Sequence, residues 1–340
     1  MISLENGELV FRFEEVHPHA VCKVNFQRTL RIPDDEKEYP LPPGLGRFEI
    51  QHIDDLAARL PQVLVRRGGV VMPMWQSEAM WLNFSSRHTR ADYPFAIKIS
   101  AGKINAITGE PWQEPLQREP QDYLVLPRQP WLDGFCEKKG IIRQFVAAAL
   151  GQGATVEEQI TGQAVNGGLQ IVACPMKREV YEKLHQHING DVARCLQPSP
   201  IHANSLDMGF AAGGKMRQEL YTDPYGLDAW DQQHPSRCFI TVLNAQSWQS
   251  ITGTYPPTKP PTMADYAKSG MPWFDYYAAD QKPLEGSSVL SRVKSFAKLV
   301  RPTTGKGEDL EMMSSSFKIL SVGPNMRPVR EPNQVREGLF

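Results

Sequence analysis

The chain has 340 residues, of which 41% are hydrophobic and 22% are charged, and its formal net charge is −1. This length is sufficient for a substantial buried core in one large domain or two ordinary ones. A net charge close to zero gives no protein-wide field that would attract nucleic acid or an anionic membrane, so we expect no nucleic-acid partner.

Strand patterns dominate the first third of the chain. Apolar and polar residues alternate between Leu9 and Leu30, with a break at Val16–His19, which predicts an N-terminal hairpin with one buried face. A short helix that Pro61 ends is predicted over residues 53–60. The clearest hairpin spans residues 95–107, because a short glycine-containing loop separates two β-branched runs. Further strands are predicted at residues 63–65, 70–75 and 78–84.

The later part of the chain mixes both periods. Residues 141–150 carry apolar side chains at helical spacing and predict a well-defined helix that Gly151 ends. Residues 156–160 and 169–174 predict a second hairpin. Additional strands are predicted at residues 123–126, 216–221 and 238–243, and additional helices at residues 177–188, 264–268 and 288–300.

These patterns predict an α+β protein dominated by antiparallel, sandwich-like sheets with three or four surface helices. The 28 prolines agree with many turns and edge strands. We expect a single domain over residues 1–300, with residues 151–153 as an alternative internal boundary. From residue 301 the periodicity vanishes, and residues 301–340 are predicted to be a flexible, disordered tail.

The cysteines and the N-terminus indicate where the protein resides. Five cysteines are spread along the chain without a Cys-x-x-Cys pair, which is typical of free thiols in a reducing compartment. The first residues lack a basic region followed by an apolar run, and no stretch is apolar enough to span a bilayer. We therefore expect a cytoplasmic protein without a signal peptide or a transmembrane segment.

Acidic residues are concentrated between residues 223 and 238. Asp223, Asp228 and Asp231 are candidate ligands of a hard cation such as calcium, with His234 at the periphery. Their spacing does not match an EF-hand loop. A turn at Asp223 before Pro224 and a helix cap at Asp228 are the preferred explanation.

Two His-x-His pairs suggest zinc as a hypothesis. His17 and His19 would share one face of a strand, but Pro18 favours a turn. His185 and His187 would lie on nearly opposite sides of a helix, where they cannot chelate one ion.

Catalytic signatures are sparse. Cys136 is the thiol least embedded in a strand pattern and could act as a nucleophile with His202 or His234. Asp228, Asp231 and His234, together with Cys136, are the candidate catalytic residues. There is no Gly-x-Ser-x-Gly elbow, no phosphate loop and no Gly-x-Gly-x-x-Gly, so we expect no nucleotide cofactor, and no other cofactor is indicated.

Aromatic residues beside prolines and glycines suggest a binding surface. Trp112, Trp131, Trp273 and Tyr276 lie in predicted loops or strand ends, where rings and carboxylates could stack a sugar or another flat ligand. The alternative is that these rings pack the ends of the sheets.

The predicted helix at residues 288–301 has an apolar stripe opposite Lys294, Lys298 and Arg301. This pattern is typical of a surface helix packed on its own domain, and it also suits contact with a membrane surface or an acidic partner.

Two classes of function remain open. The first is a non-catalytic protein that binds a small molecule, a sugar or a protein through aromatic loop residues. The second is a hydrolase with an Asp/His site, with or without a metal, around residues 223–238. The discriminating feature is convergence, because an enzyme needs at least two of these groups within hydrogen-bonding distance. Both an enzyme and a non-catalytic protein agree with these residues.

Overall fold

The computed structural model describes residues 1–35, 37–86, 92–186, 208–260, 282–300 and 330–338, except for the side chains of residues 185, 186 and 300. The first nine strands, β1 to β9, are Ile2–Glu5, Glu8–Arg12, Val21–Thr29, Glu38–Tyr39, Gly44–Arg47, Gln51–His52, Val70–Met74, Ala79–Ser85 and Phe95–Ala101. The next nine, β10 to β18, are Ile104–Asn105, Leu124–Leu126, Trp131–Leu132, Gly134–Lys138, Ile141–Ala149, Leu169–Pro175, Met208–Arg217, Ser236–Asn244 and Gln334–Val335.

The described helices are short and lie around these strands. The α-helices α1 to α5 are Gln62–Arg67, Val156–Thr161, Arg178–Gln186, Ala245–Thr252 and Phe296–Val300. Three 3-10 helices span Ile53–Arg59, Leu227–Ala229 and Leu290–Arg292. No helix in these ranges is long and apolar enough to cross a membrane.

All of these strands join one curled sheet, which confirms the prediction of a strand-dominated, antiparallel fold. β3 pairs with β8, β8 with β14, and β14 with β16. β15 lies between β9 and β17. The pairings β4–β16 and β7–β17 are parallel, and the other described pairings are antiparallel. Strands before and after residues 151–153 therefore pair with each other.

The main core lies on the inner face of the curled sheet. Phe11 and Phe26 from the N-terminal strands share this core with Phe95, Phe145 and Phe210 from later strands. The N-terminal hairpin and the hairpin at residues 95–107 were predicted correctly: β2 pairs with β3, and β9 with β10. The first shows alternating apolar and polar residues, and the second has a glycine-containing turn.

Residues 141–149 form strand β14, so the predicted helix over 141–150 is wrong. β14 pairs with β13, β16 and β8, and its residues are buried on both faces except at its last position. A strand buried on both faces carries consecutive apolar residues and loses the alternation that identifies half-exposed strands. A register shift between Arg143 and Phe145 changes the phase further.

Two predicted strands are helices. Residues 156–160 lie in α2, which a capping box starts: the Thr155 side chain accepts from the Glu158 N–H, and the Glu158 carboxylate accepts from the Thr155 N–H at 3.1 Å. This reciprocal pair stabilises the first turn against an extended conformation. Residues 63–65 lie in α1, which begins directly after Pro61.

Residues 288–300 do not form the continuous helix that was predicted. The 3-10 turn ends at Val293, whose backbone is extended, and α5 begins at Phe296. Leu290 and Val293 enter the main core, whereas Phe296 packs on a cluster of alanines on another face. Val293 and Phe296 of the predicted apolar stripe are therefore used for packing within the chain.

The predicted tail is described only at residues 330–338, and residues 301–329 and 339–340 lie outside the described part. Within it, Val335 pairs with Ile2, Gln334 pairs with Ser3, and Val335 is buried. The predicted helix at residues 264–268 also lies outside the described residues.

Candidate functional site

Asp223 anchors the loop that carries several predicted site residues. Its carboxylate accepts hydrogen bonds from the Tyr123 hydroxyl at 2.6 Å, from Trp230 Nε1 at 2.9 Å and from the Tyr225 N–H at 2.8 Å. Asp223 is buried. A buried carboxylate with three donors stabilises the loop and has its oxygens occupied by protein groups.

The described residues do not converge on the predicted cation site. Asp228 is exposed in the first turn of the 3-10 helix Leu227–Ala229, and Gly226, not Asp228, occupies the N-cap position. Among the described residues, no three or more histidine, cysteine, aspartate or glutamate side chains are grouped so that they could hold a metal ion. Within the described part of the chain, the cation hypothesised at Asp223, Asp228 and Asp231 and the zinc hypothesised at His17 and His19 therefore have no complete ligand set.

Asp231 and His234 are brought together. Asp231 Oδ2 lies 2.8 Å from Nδ1 of His234, and Asp231 Oδ1 accepts from the Gln233 N–H at 3.0 Å. The Asp231 side chain is 14% exposed and that of His234 54%. The hydrogen bond from His234 to Asp231 raises the pKa of the imidazole, because the carboxylate stabilises the protonated form.

Cys136 is buried on β13, beside Ile142 of β14. Burial raises the pKa of its thiol to about 12. A buried thiol with this pKa is not the thiolate that nucleophilic catalysis requires. No hydrogen bond among the described residues joins it to a histidine.

Trp112 lies against two cations. Its ring centroid is 4.8 Å from Lys98 Nζ and 5.8 Å from the guanidinium carbon of Arg237. Lys98 is fully buried, donates to the carbonyl oxygens of Gln113 and Pro115 at 2.7 Å, and pairs with Asp122. Trp112 thus covers a buried lysine, and its ring is used in cation–π contacts within the protein.

Trp131 lies in β12 and contacts different residues from those around Trp112. Its ring meets that of Trp81 edge-on at 6.4 Å, and it packs on a cluster that includes Ile142 and Met216. The remaining aromatic candidates, Trp273 and Tyr276, lie outside the described residues. So do His187, Cys195 and His202, together with the side chain of His185.

Four rings that the sequence did not link form one cluster at the end of the β2–β3 turn. We call His17, His19, Tyr93 and Tyr181 the ring cluster. The Tyr93 ring lies 4.1 Å from that of Tyr181, and the His17 ring lies 5.3 Å from Tyr93, 4.9 Å from Tyr181 and 5.0 Å from His19. The two tyrosines are buried, and the two histidines are half-buried.

The β2–β3 turn holds the histidines in place. Phe13 and Ala20 close the turn through a backbone hydrogen bond of 3.0 Å, and the His17 N–H donates to the Phe13 carbonyl at 3.0 Å. The His19 N–H donates to Nδ1 of His17 at 3.0 Å. Because this nitrogen accepts, the proton of neutral His17 is on Nε2.

The two tyrosines are positioned by the chain that follows the end of β15. The Tyr93 hydroxyl donates to the Met176 carbonyl oxygen at 2.8 Å, and Tyr181 lies on α3, which follows β15. Burial raises the pKa of both tyrosines, so both hydroxyls are neutral in the physiological range.

The Asp231–His234 pair adjoins the ring cluster through the end of β15. The Asp231 N–H donates to the Pro175 carbonyl at 2.9 Å, and Met176 forms a β-bridge with Trp230 while it holds Tyr93. The charge of Asp231 also raises the pKa of Tyr93, in addition to the larger effect of burial.

Sequence reasoning found His17, His19, Asp231 and His234 separately, but did not group them with each other or with Tyr93 and Tyr181. No spacing pattern links residues more than 200 positions apart. The turn at Pro18 was the available signal, because it predicts that the two histidines occupy a strand end. Comparison with known proteins found no matching family model, no similar curated protein and no similar solved structure.

Proposed function

We propose that this is a non-catalytic binding protein whose ligand, a sugar or a small aromatic alcohol, contacts the ring cluster. The observation that supports this is the contact of four rings from three separate chain segments, with His17 and His19 half-buried at its surface. Ligand sites in proteins combine apolar or aromatic walls with a few fixed polar groups.

The ring cluster has both components. Tyr93 and Tyr181 form a buried base that a ligand does not need to order, which reduces the entropic cost of binding. The half-buried imidazoles of His17 and His19 add the polar groups, and the hydrogen bonds of their turn fix them. The ligand class follows from this combination of rings and hydrogen-bonding groups.

A second candidate is a hydrolase, and one observation favours it. The 2.8 Å hydrogen bond between Asp231 and Nδ1 of His234 is the arrangement in which a carboxylate orients an imidazole for general-base catalysis. The binding proposal is preferred because no nucleophile is brought to this pair among the described residues, and the predicted Cys136 is buried on another strand.

We also propose a reducing, cytoplasmic environment. Its support is that Cys22, Cys136, Cys174 and Cys238 are free and buried.

A ligand screen on the full chain tests the binding proposal. Mono- and oligosaccharides and small aromatic alcohols are added in a thermal-shift assay, and each hit is titrated by calorimetry. His17→Ala should weaken binding about fivefold, since a ring contact contributes on the order of 1 kcal/mol. The matched control is His234→Ala, which removes an exposed histidine from the neighbouring segment and should leave the affinity unchanged.

The same variants separate the two candidates. Hydrolysis of a hit or of a generic ester by the wild type, abolished by His234→Ala, would favour the enzyme. A hit that binds His17→Ala and the wild type equally would contradict the ring cluster as the binding site.

A further inference from the structure

Residues 330–338 lie in a groove made by the N-terminal strand, the 3-10 helix Ile53–Arg59, the end of α1 and the start of β17. We call these nine residues the strap. Main-chain pairing supplies much of the contact: the strap pairs with β1, the Leu4 N–H donates to the Asn333 carbonyl at 2.8 Å, and the Gly69 N–H donates to the Arg336 carbonyl at 2.8 Å. An extended segment added to a sheet edge is a recurrent mode of peptide recognition.

Charge complementarity fixes the strap in this groove. Arg336 Nη2 donates to Oδ1 of the buried Asp54 at 2.6 Å and also to the Val65 carbonyl, and Arg336 Nη1 donates to the Arg66 carbonyl at 3.4 Å. Arg330 pairs with Asp55 at 2.8 Å. Two arginines on the strap thus meet two aspartates of the groove.

At the C-terminal end of the strap, the groove binds a negatively charged residue. Glu337 accepts from the Ser236 hydroxyl at 3.0 Å and from the Arg237 N–H at 2.7 Å. The groove is narrow beside Arg336, because a Cβ at Gly68, whose φ is +70°, would lie 2.5 Å from the Arg336 carbonyl oxygen. The groove therefore recognises an arginine followed by a glutamate on an extended backbone.

The strap contributes few apolar contacts, and Val335 is its one side chain in the main core among the described residues. Residues 301–329 separate it from α5, and 29 residues can span at most about 100 Å. A groove that recognises its occupant by pairing and charge, joined by this length of chain, is accessible to the same segment of another molecule.

We infer that the groove is a docking site for an extended segment in trans, and that its partner is the strap of a second copy of this chain. The two copies exchange straps, each keeping the contacts of Arg336 with Asp54 and of Glu337 with β17. This inference is independent of the ring cluster.

Disulfide trapping in the full chain tests the exchange. Ser3 and Gln334 are directly paired, and opposite residues of antiparallel strands are within the distance that a disulfide spans. A Ser3→Cys chain is mixed with a Gln334→Cys chain under a mild oxidant, which accepts the two electrons and two protons released when the S–S bond forms. A covalent dimer linked between positions 3 and 334, identified by peptide mapping, is the expected result.

Two controls make the outcome specific. Ser3→Cys mixed with Glu331→Cys, an exposed strap residue that is not opposite Ser3, should link at least tenfold less. Adding Arg336→Ala to the Gln334→Cys donor should reduce the yield about tenfold, whereas adding it to the Ser3→Cys acceptor, whose own strap then competes less well, should increase the yield.

The double variant Ser3→Cys/Gln334→Cys links within one chain if the strap occupies the groove as described. Efficient linking there, together with no cross-chain product in the mixture, would show a fixed intramolecular strap and overturn the proposal. Failure of the double variant to link would also overturn it, because the groove would then not hold the strap.

Discussion

Asp231 Oδ2 and Nδ1 of His234 lie 2.8 Å apart, three residues apart in the chain, on the segment that follows Trp230. This is the one hydrogen-bonded pair among the predicted catalytic residues in the described part of the chain. The same segment contacts the end of β15 through the Asp231 N–H and contacts Asp223 through Trp230.

The first prediction concerns the titration of His234. Its pKa should lie above the ordinary value of 6.5, and Asp231→Asn should return it toward that value, because the neutral amide no longer stabilises the imidazolium. NMR titration of histidine-labelled protein measures both. The contribution of this pair to folding is present below pH 6.5 and is lost as the pH rises through the raised value. Identical titration curves for the two proteins would show that the pair does not form in solution.

The second prediction concerns the anchor at Asp223. Asp223→Ala should lower the free energy of unfolding by about 3 kcal/mol, because it leaves buried donors of Tyr123 and Trp230 without an acceptor. Asp228→Ala, in the same loop but exposed, should change it by less than about 0.5 kcal/mol. Urea unfolding measures both. A chelator should leave the wild type unchanged, and a loss of stability on chelation would revive the cation site.

The third prediction is that Asp133 makes the free energy of unfolding depend on pH. This carboxyl is fully buried, and its Oδ2 accepts from Gln218 Nε2 at 3.1 Å. Burial raises its pKa from 3.8 to about 8, so the folded state keeps a proton that the unfolded chain releases. The stability that it contributes is therefore present below about pH 4 and falls as the pH rises to about 8, by up to about 1.4 kcal/mol per pH unit.

Asp133→Asn should remove the contribution of Asp133 to the slope of the unfolding free energy against pH. The amide oxygen of the asparagine can still accept from Gln218. Burial also raises the pKa of Glu78 to about 8, so Glu78 titrates over the same pH range and its contribution to the slope remains in the variant. Urea unfolding at several pH values between 5 and 8 measures the slopes, with Asp228→Asn as the exposed control. Parallel curves for wild type and Asp133→Asn would contradict the burial of an ionisable group at this position.

The fourth prediction is that Cys136 is inert. Iodoacetamide should alkylate it in the folded protein at least 100-fold more slowly than in urea, since the thiol is buried and its pKa is about 12. Peptide mapping at timed intervals measures the rate at this cysteine. Rapid alkylation in the folded state would restore Cys136 as a candidate nucleophile.

The sequence predicted strands well where apolar and polar residues alternate along the chain. Alternation places β3 and β9 correctly although both strands are largely buried, because buried polar residues such as Lys98 and Ser100 keep the pattern. β14 was mistaken for a helix because apolar residues occupy both of its faces and its run of alanines mimics a helical stripe. The start of α2 could have been predicted, since Thr155 and Glu158 have the spacing of a capping box.

The candidate site was less predictable than the fold. Local reasoning found the Asp231–His234 segment and the His17–His19 turn, because both are short and chemically distinctive. Their meeting at the end of β15 depends on pairing between strands that are distant in sequence, and no local pattern contains that information. The tryptophans show the converse: Trp112 is conspicuous in the sequence, yet the structure uses it to cover Lys98.

Histidine-selective NMR with a ligand from the screen tests the central claim most directly. We expect the ring signals of His17 and His19 to shift on saturation, while those of His52, which is buried beside the 3-10 helix Ile53–Arg59, stay in place. Unchanged signals from His17 and His19 in the presence of a bound ligand would contradict the ring cluster as its site.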